Sequence, residues 1–323
     1  MKLILRATLF ATLAFACPVV AAPTNAVSIV RDTWHDAHRE REVPVKIYSP
    51  ATGQGPFPII IFSHGLGGTR EMYEYLGRYW ASHGYISVHV QHHGSDDAVW
   101  RGASLFNGKK AMHRAAADPR NANNRPRDVS FAIDRLEQLN REESPFQNRL
   151  DLDRIGVAGH SFGAFTALAV AGQVFGPGTS INAPVSDPRV KAAIPMSAPV
   201  PADKRRMDDV YAGVRIPCLH MTGTRDASPI GDTRPEERRM PFDYCRNSDQ
   251  YLITFQDGDH MVFSGRRGQS SKQERTFQQL ICESSTAFWD AYLREDSQAK
   301  TWLTEDFKAA LGLNGTFEVK RPH

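Results

Sequence analysis

Three residues in this chain could together activate a hydroxyl for attack on a carbonyl. Ser161 lies between two glycines in "GHSFG", residues 159–163, where an apolar run ending near Ala158 meets the helix-like "FGAFTALAV". Glycines at that spacing let backbone segments pass closely, so a strained strand-to-helix corner can hold a serine oxygen outward. Isolated, a G-x-S-x-G pattern is weak; the preceding strand and following helix are the context its chemistry demands. Two later strand-like runs end in suitable partners: "IPCLHMTG" leads to Thr224-Arg225-Asp226, and "YLITFQ" to Asp257-Gly258-Asp259-His260. A serine hydroxyl is a poor nucleophile until an imidazole accepts its proton, and a carboxylate holds that imidazole in the required tautomer. The chain order Ser161, Asp226, His260 fits such a triad.

A fourth strand end, after "FPIIIFS", carries His64-Gly65-Leu66-Gly67-Gly68. The N–H of Leu66 with that of Phe162 would form an oxyanion hole. The plainer alternatives are Ser161 as a helix cap and Asp226 as a turn carboxylate, with Asp232 the acid. Asp257 and Asp259 read as loop carboxylates. Of the twelve histidines, only His260 has both the chain order and a strand-end position; His220 lies within a strand, and His64 and His160 read as packing or hydrogen-bonding residues. "HVQHH" (89–93) lacks a carboxylate or cysteine to complete a metal site and reads as surface or pocket-rim histidines. Trp100, Met261 and Phe263, with Phe162, are candidates to line an apolar acyl pocket.

These residues need a scaffold, and the pattern supplies one. Strands are expected at 41–50, 57–65, 85–91, 154–159, 190–197, 216–222 and 251–256, and helices at 70–83, 125–140, 162–172, 272–294 and in the last stretch "SQAKTWLTEDFKAALG". Residues 92–125 read as irregular and should reach over the pocket. This alternation predicts an α/β fold with a mostly parallel sheet covered on both faces. In such sheets ligands gather at the carboxyl ends of the strands, where the candidate residues stand.

With 323 residues, 39 basic and 36 acidic, the chain has ample material for one core and no basic stripe suited to nucleic acid. Lys204–Arg206, Arg238–Arg239 and Arg266–Arg267 read as solvated surface. "MKLILRATLFATLAFACPVVAA" has the basic start, apolar run and small residues of a cleaved secretory signal. Residues 1–22 are therefore expected to be removed, with cleavage between 21 and 26, leaving 23–323 as a single exported catalytic domain. "LAFA" before Cys17 fits a lipoprotein signal poorly. No other stretch has the ~20 apolar residues of a membrane span. Removal of Cys17 leaves Cys218, Cys245 and Cys282 in an oxidising compartment, with Cys218 expected buried and free and Cys245–Cys282 the expected bridge.

The motifs match a known group. "FSHGLGG", "LGRYWASHGYISVHVQHH", "GHSFGAFT", "MTGTRD" and "GDHMVFSG" resemble the α/β-hydrolase superfamily, and within it the platelet-activating-factor acetylhydrolase-like serine esterases, over roughly residues 40 to 290. The layout is also similar to the dienelactone-hydrolase branch, whose members place cysteine at the elbow where this chain has Ser161. The resemblance implies Ser161, Asp226 and His260 as triad, Leu66 and Phe162 as oxyanion donors, and no metal or cofactor. The expected activity is hydrolysis of carboxylic esters, short-acyl or lipid-like. Cutinase-like polyester hydrolysis and acyl transfer by the same triad are the alternatives; amide hydrolysis and a non-catalytic lipid- or carbohydrate-binding module stand further off.

Overall fold

Runs of β-branched and aliphatic residues with no polar alternation form strands buried on both faces. A computed structural model of the chain describes residues 26–174, 185–265 and 271–322; the expected signal segment lies outside them. Among the described residues, nine strands form one sheet: β1 (Val27–Asp36), β2 (Arg41–Pro50), β3 (Phe57–Ser63), β4 (Ile86–Val90), β5 (Leu150–His160), β6 (Val190–Met196), β7 (Cys218–Arg225), β8 (Gln250–Asp259) and β9 (Gly315–Lys320). Their spatial order is β1-β2-β4-β3-β5-β6-β7-β8-β9. The pairs from β4 through β8 are parallel, while β1, β2 and β9 are added antiparallel at the edges. The expected α/β architecture is observed. The edge strands β1 and β9 were not expected; β1 is half-exposed with mixed polar content, and β9 follows a helical run without a strong strand signal.

The helices are α1 (Glu74–Ser82), α2 (Leu105–Ala117), α3 (Pro119–Arg141), α4 (Phe162–Ala171), α5 (Met207–Tyr211), α6 (Met240–Tyr244), α7 (Lys272–Leu293), α8 (Ser297–Thr301) and α9 (Phe307–Leu311). Alternate residues of each central strand point to opposite faces, giving two cores. Ile59, Ile61 and Val157 pack with α3, α4 and α5 on one face; Ile60, Phe62 and Ala158 pack with α1, α7 and α9 on the other.

Residues 92–125 are not irregular. They contain α2 and the first turns of α3, which begins at Pro119 behind an Asp118 cap whose side chain accepts from Arg120 N–H at 2.9 Å. The helix runs through Pro126, where the sequence suggests a boundary because proline removes an N–H and crowds the preceding turn. Tertiary contacts override that local preference: Asn121, Arg125, Pro126 and Asp128 are all buried.

The expected Cys245–Cys282 bridge is absent. Cys218, Cys245 and Cys282 are buried free thiols. Cys245 belongs with Cys218 to the core on the α4 face, and Cys282 to the core on the α7 face, so the sheet lies between the proposed partners. Burial pushes the Cys245 thiol up to about 12, and a thiol held protonated is a weak nucleophile for exchange. A protein beginning at residue 26 should therefore show no reactive thiol to a chromogenic reagent when native and three in guanidinium. Its Tm should be unchanged by dithiothreitol; a fall on reduction would indicate a bridge.

Candidate active site

The chain leaves β3 toward β4 on one side and, after returning, leaves β5 toward β6 on the other. The following helices, α1 and α4, pack on opposite faces. A crevice therefore opens at the carboxyl ends of β3 and β5, the kind of switch point where ligands bind in open α/β sheets. Ser161 stands there, between β5 and α4, with φ 57° and ψ −118°. A non-glycine residue in that region stores about 1–3 kcal/mol of strain. The flanking glycines are sterically required: a Cβ on Gly159 would lie 2.2 Å from Gly163 O, and one on Gly163 only 1.9 Å from Ser63 O. The Ser161 N–H is held by Met196 O at 2.9 Å, anchoring the corner to the end of β6.

His260 lies just past β8. Its Nδ1–H donates to Asp226 Oδ1 at 2.7 Å, which leaves Nε2 as the ring's base nitrogen. Asp226 is fully buried and also accepts from Thr222 Oγ1 at 2.8 Å and from Ser197 Oγ. Asp226, not Asp232, thus holds the imidazole; Asp232 lies on the cavity wall. Asp257 pairs with Arg225 and Asp259 accepts from Met261 N–H; neither bonds His260, and both lie in the last residues of β8 instead of the loop expected for them, because the ladder with β7 continues to Asp259.

Arg238, read from the sequence as solvated surface, is buried. Its Nε donates to Asp226 O at 3.1 Å, its Nη1 to Ser197 O and Ala198 O at 2.9 Å each. The guanidinium also lies 3.4 Å from Asp226 Oδ1. Neighbouring Arg239 is the solvated member, paired with Asp243 and Glu318. Nothing in "RR" distinguishes the two before folding.

The glycine loop after β3 is fixed atom by atom. Gly67 N–H donates to Ser95 O at 2.9 Å and Gly68 N–H to Gly65 O at 3.0 Å, while Gly67 O accepts from Trp100 Nε1 at 2.8 Å. Gly65 N–H reaches Tyr73 Oη at 3.4 Å. Among the described residues, the Leu66 N–H has no protein acceptor. The Phe162 N–H opens α4 and has no carbonyl one turn back within the helix. Both residues line one cavity with Ser161 and His260.

A second chain of bonds ties the loop to His260. Tyr73 Oη donates to His160 Nδ1 at 2.8 Å, and His160 Nε2–H donates to His260 O at 2.8 Å. Burial drives His160 well below the usual histidine range, so it remains a neutral bridge. His64 is similarly structural, its Nδ1–H on Gly65 O at 2.7 Å and its Nε2 accepting from His92 N–H at 3.0 Å. His220, within β7, bonds Gln250 at 2.8 Å.

The histidines of 89–93 depart from expectation. His89 and His92 are buried; only His93 is partly exposed. His92 bridges Asp128 at 2.9 Å and Ser63 Oγ at 3.1 Å, while Arg39 and Arg41 also bond Asp128. Burial opposes the charge on Asp128, but these donors prevail and bring its carboxyl down to about 2. No group of three or more metal-capable side chains occurs among the described residues.

The cavity holds about 870 Å³ and is largely apolar. Met261 lines it, as does Met112 from α2 with Ala116, so the segment after β4 does reach the pocket. Phe263 does not line it: the ring is wholly buried in the α7-face core. Trp100 is 45% exposed and acts on the loop through Gly67 rather than forming the cavity wall. A side chain's period along the chain does not reveal which of two packed surfaces it faces.

Comparison with known proteins agrees with this architecture. Residues 25–114 match the family model for platelet-activating factor acetylhydrolase, isoform II, and residues 114–308 match the PET hydrolase-like model. Platelet-activating factor acetylhydrolase of the dog (Canis lupus familiaris) is 25% identical over 249 residues, covering 68% of this chain and 51% of that protein. The same-named proteins of guinea pig (Cavia porcellus) and cattle (Bos taurus) are 29% and 24% identical, covering 39% and 64% of this chain and 34% and 48% of their own lengths. The chain thus spans about half the length, or less, of these curated relatives. The resemblance read from the motifs holds, and Ser161, Asp226 and His260 all fall in the second matched segment. With more than half of its residues matched by that model, the chain belongs to the PET hydrolase-like family and has the α/β-hydrolase fold.

Proposed function

We propose that this protein is a serine hydrolase of carboxylic esters. The observation that carries the reading is the buried Asp226–His260 hydrogen bond of 2.7 Å, with His260 lining the same cavity as Ser161 on its strained corner. Ser161 Oγ attacks the ester carbonyl while His260 Nε2 takes its proton. The resulting oxyanion rests on the N–H groups of Leu66 and Phe162. Collapse expels the alcohol, which receives the proton from His260. Water, deprotonated by the same nitrogen, then attacks the acyl-enzyme and releases the acid and free Ser161. Asp226 stays ionised, orients the ring and stabilises the imidazolium.

Short-acyl or lipid-like esters are the first substrate class. The apolar cavity of about 870 Å³ lies in the ordinary range for small-molecule sites, and the curated relatives are by name acetylhydrolases of platelet-activating factor. The family match adds a second reading, cleavage of aromatic polyester units. Export follows from residues 1–22 read as a cleaved signal; mass measurement of secreted protein should give an N-terminus between residues 21 and 26. Among the described residues no helix is long and apolar enough to cross a membrane.

The first test is hydrolysis of p-nitrophenyl esters from acetate to palmitate, with a soluble bis(hydroxyethyl) terephthalate arm. The wild type should act best on the shorter chains, and Ser161→Ala should retain less than about one part in 10³ of the rate. Equal rates in both proteins sink the nucleophile assignment. A maximum at palmitate would replace the short-acyl reading with a long-chain one, and preference for the terephthalate would favour the polyester reading. Asp226→Asn should lower kcat by about 10³–10⁴ with little change in KM, because the amide can hold the wrong tautomer of His260. Retention of more than a tenth of kcat would transfer the acid role elsewhere.

A further inference from the structure

Arg125 is fully buried on α3, in the layer beneath the oxyanion loop. Its Nε donates to Thr166 Oγ1 on α4 at 2.9 Å, and its Nη1 to Ser95 Oγ at 2.8 Å. Its Nη2 donates to the carbonyl of His64, which immediately precedes the loop. The guanidinium also lies 4.6 Å from the centre of the Phe162 ring. One side chain therefore grips both structures that carry the two oxyanion N–H groups. It reaches the loop twice, directly at His64 and again through Ser95, whose carbonyl accepts from Gly67 N–H. It reaches the start of α4 at Thr166 and over the Phe162 ring.

The three hydrogen-bond acceptors are all neutral. Burying a guanidinium without a carboxylate directly against it is costly, and an apolar side chain of similar volume would commonly serve stability as well or better. The nearby carboxylate of Asp128 is already taken by Arg39, Arg41 and His92. Burial lowers the Arg125 pKa only to about 9, so the cation persists at neutral pH. Its position behind the cavity wall at Phe162 places positive potential where an oxyanion would develop, in a setting where preorganised charge is most effective.

We propose that Arg125 is the positioning residue of the oxyanion hole, fixing the Leu66 loop and the α4 N-terminus relative to each other and holding a fixed positive charge behind them. The inference rests on the serine-hydrolase reading and on Leu66 and Phe162 as donors. Thr166 and Ser95 are the fork's partners, and each can be removed without removing the charge.

The experiment measures kcat and KM for p-nitrophenyl acetate, per active site titrated with a fluorophosphonate, together with inhibition by phenylboronic acid and Tm. Arg125→Met should lower kcat by ~10–100-fold, with KM changed by no more than about threefold, and weaken the boronate by a similar factor. Arg125→Lys keeps a charge but not the three-way fork, and should fall between. If Arg125→Met does not fold, Thr166→Val and Ser95→Ala carry the test, each with an expected loss in kcat of ~3–10-fold. A fall in Tm with unchanged kcat per titrated site, or a loss confined to KM, overturns the assignment of Arg125 alone. A wild type that neither turns over the ester nor labels, or a Ser161→Ala variant that keeps the activity, overturns the underlying reading and this one with it.

Discussion

The backbone of α4 approaches the end of β3 so closely that there is no room for a methyl group between them. A Cβ on Gly163 would sit 1.9 Å from Ser63 O, and the rest of the site depends on that contact. It brings the loop after β3 and the corner after β5 together, because β3 and β5 are neighbours in the sheet. It obliges the serine corner to be narrow, which places Ser161 at positive φ. It also sets the Phe162 N–H beside the Leu66 loop. The strain at Ser161 persists because surrounding contacts over-determine it, including the Met196 bond to its N–H.

Around this contact the polar groups are almost completely committed. Tyr73 and His160 connect the Gly65 N–H to the carbonyl of His260. Arg238 clamps the backbone at Ser197, Ala198 and Asp226, while Ser197 and Thr222 bond the Asp226 carboxylate. Such networks fix orientation when every member is satisfied. In the loop after β3, whose residue Leu66 lines the cavity, they hold the backbone at Gly67 and Gly68 on both sides.

The antiparallel additions at both edges and the helices on both faces serve this centre indirectly. They bury the central strands on both sides, so the strand ends have fixed places. The α2–α3 segment contributes more directly. It provides Met112 to the cavity wall, Arg125 beneath the loop, and Asp128 to the buried His92 network. A stretch of chain that resembles a polar insertion is thus integral to the site.

The sequence by itself determined the alternating architecture, the elbow at 159–163, the order Ser161, Asp226, His260, and the glycine loop after β3. These are local signals: hydrophobic runs of strand length, glycines at fixed offsets, and polar residues directly after strands. Tertiary structure decided which members of equivalent pairs matter. It buried Arg238 and left Arg239 in solvent, joined His260 to Asp226 and not to Asp232, and put Phe263 into the core while Met261 faced the cavity. It carried α3 through Pro126, because packing outweighed the lost hydrogen bond. It also separated Cys245 from Cys282 by a sheet. Each of these depends on which surface a side chain meets after distant segments pack, and residue type and spacing along the chain do not contain that information.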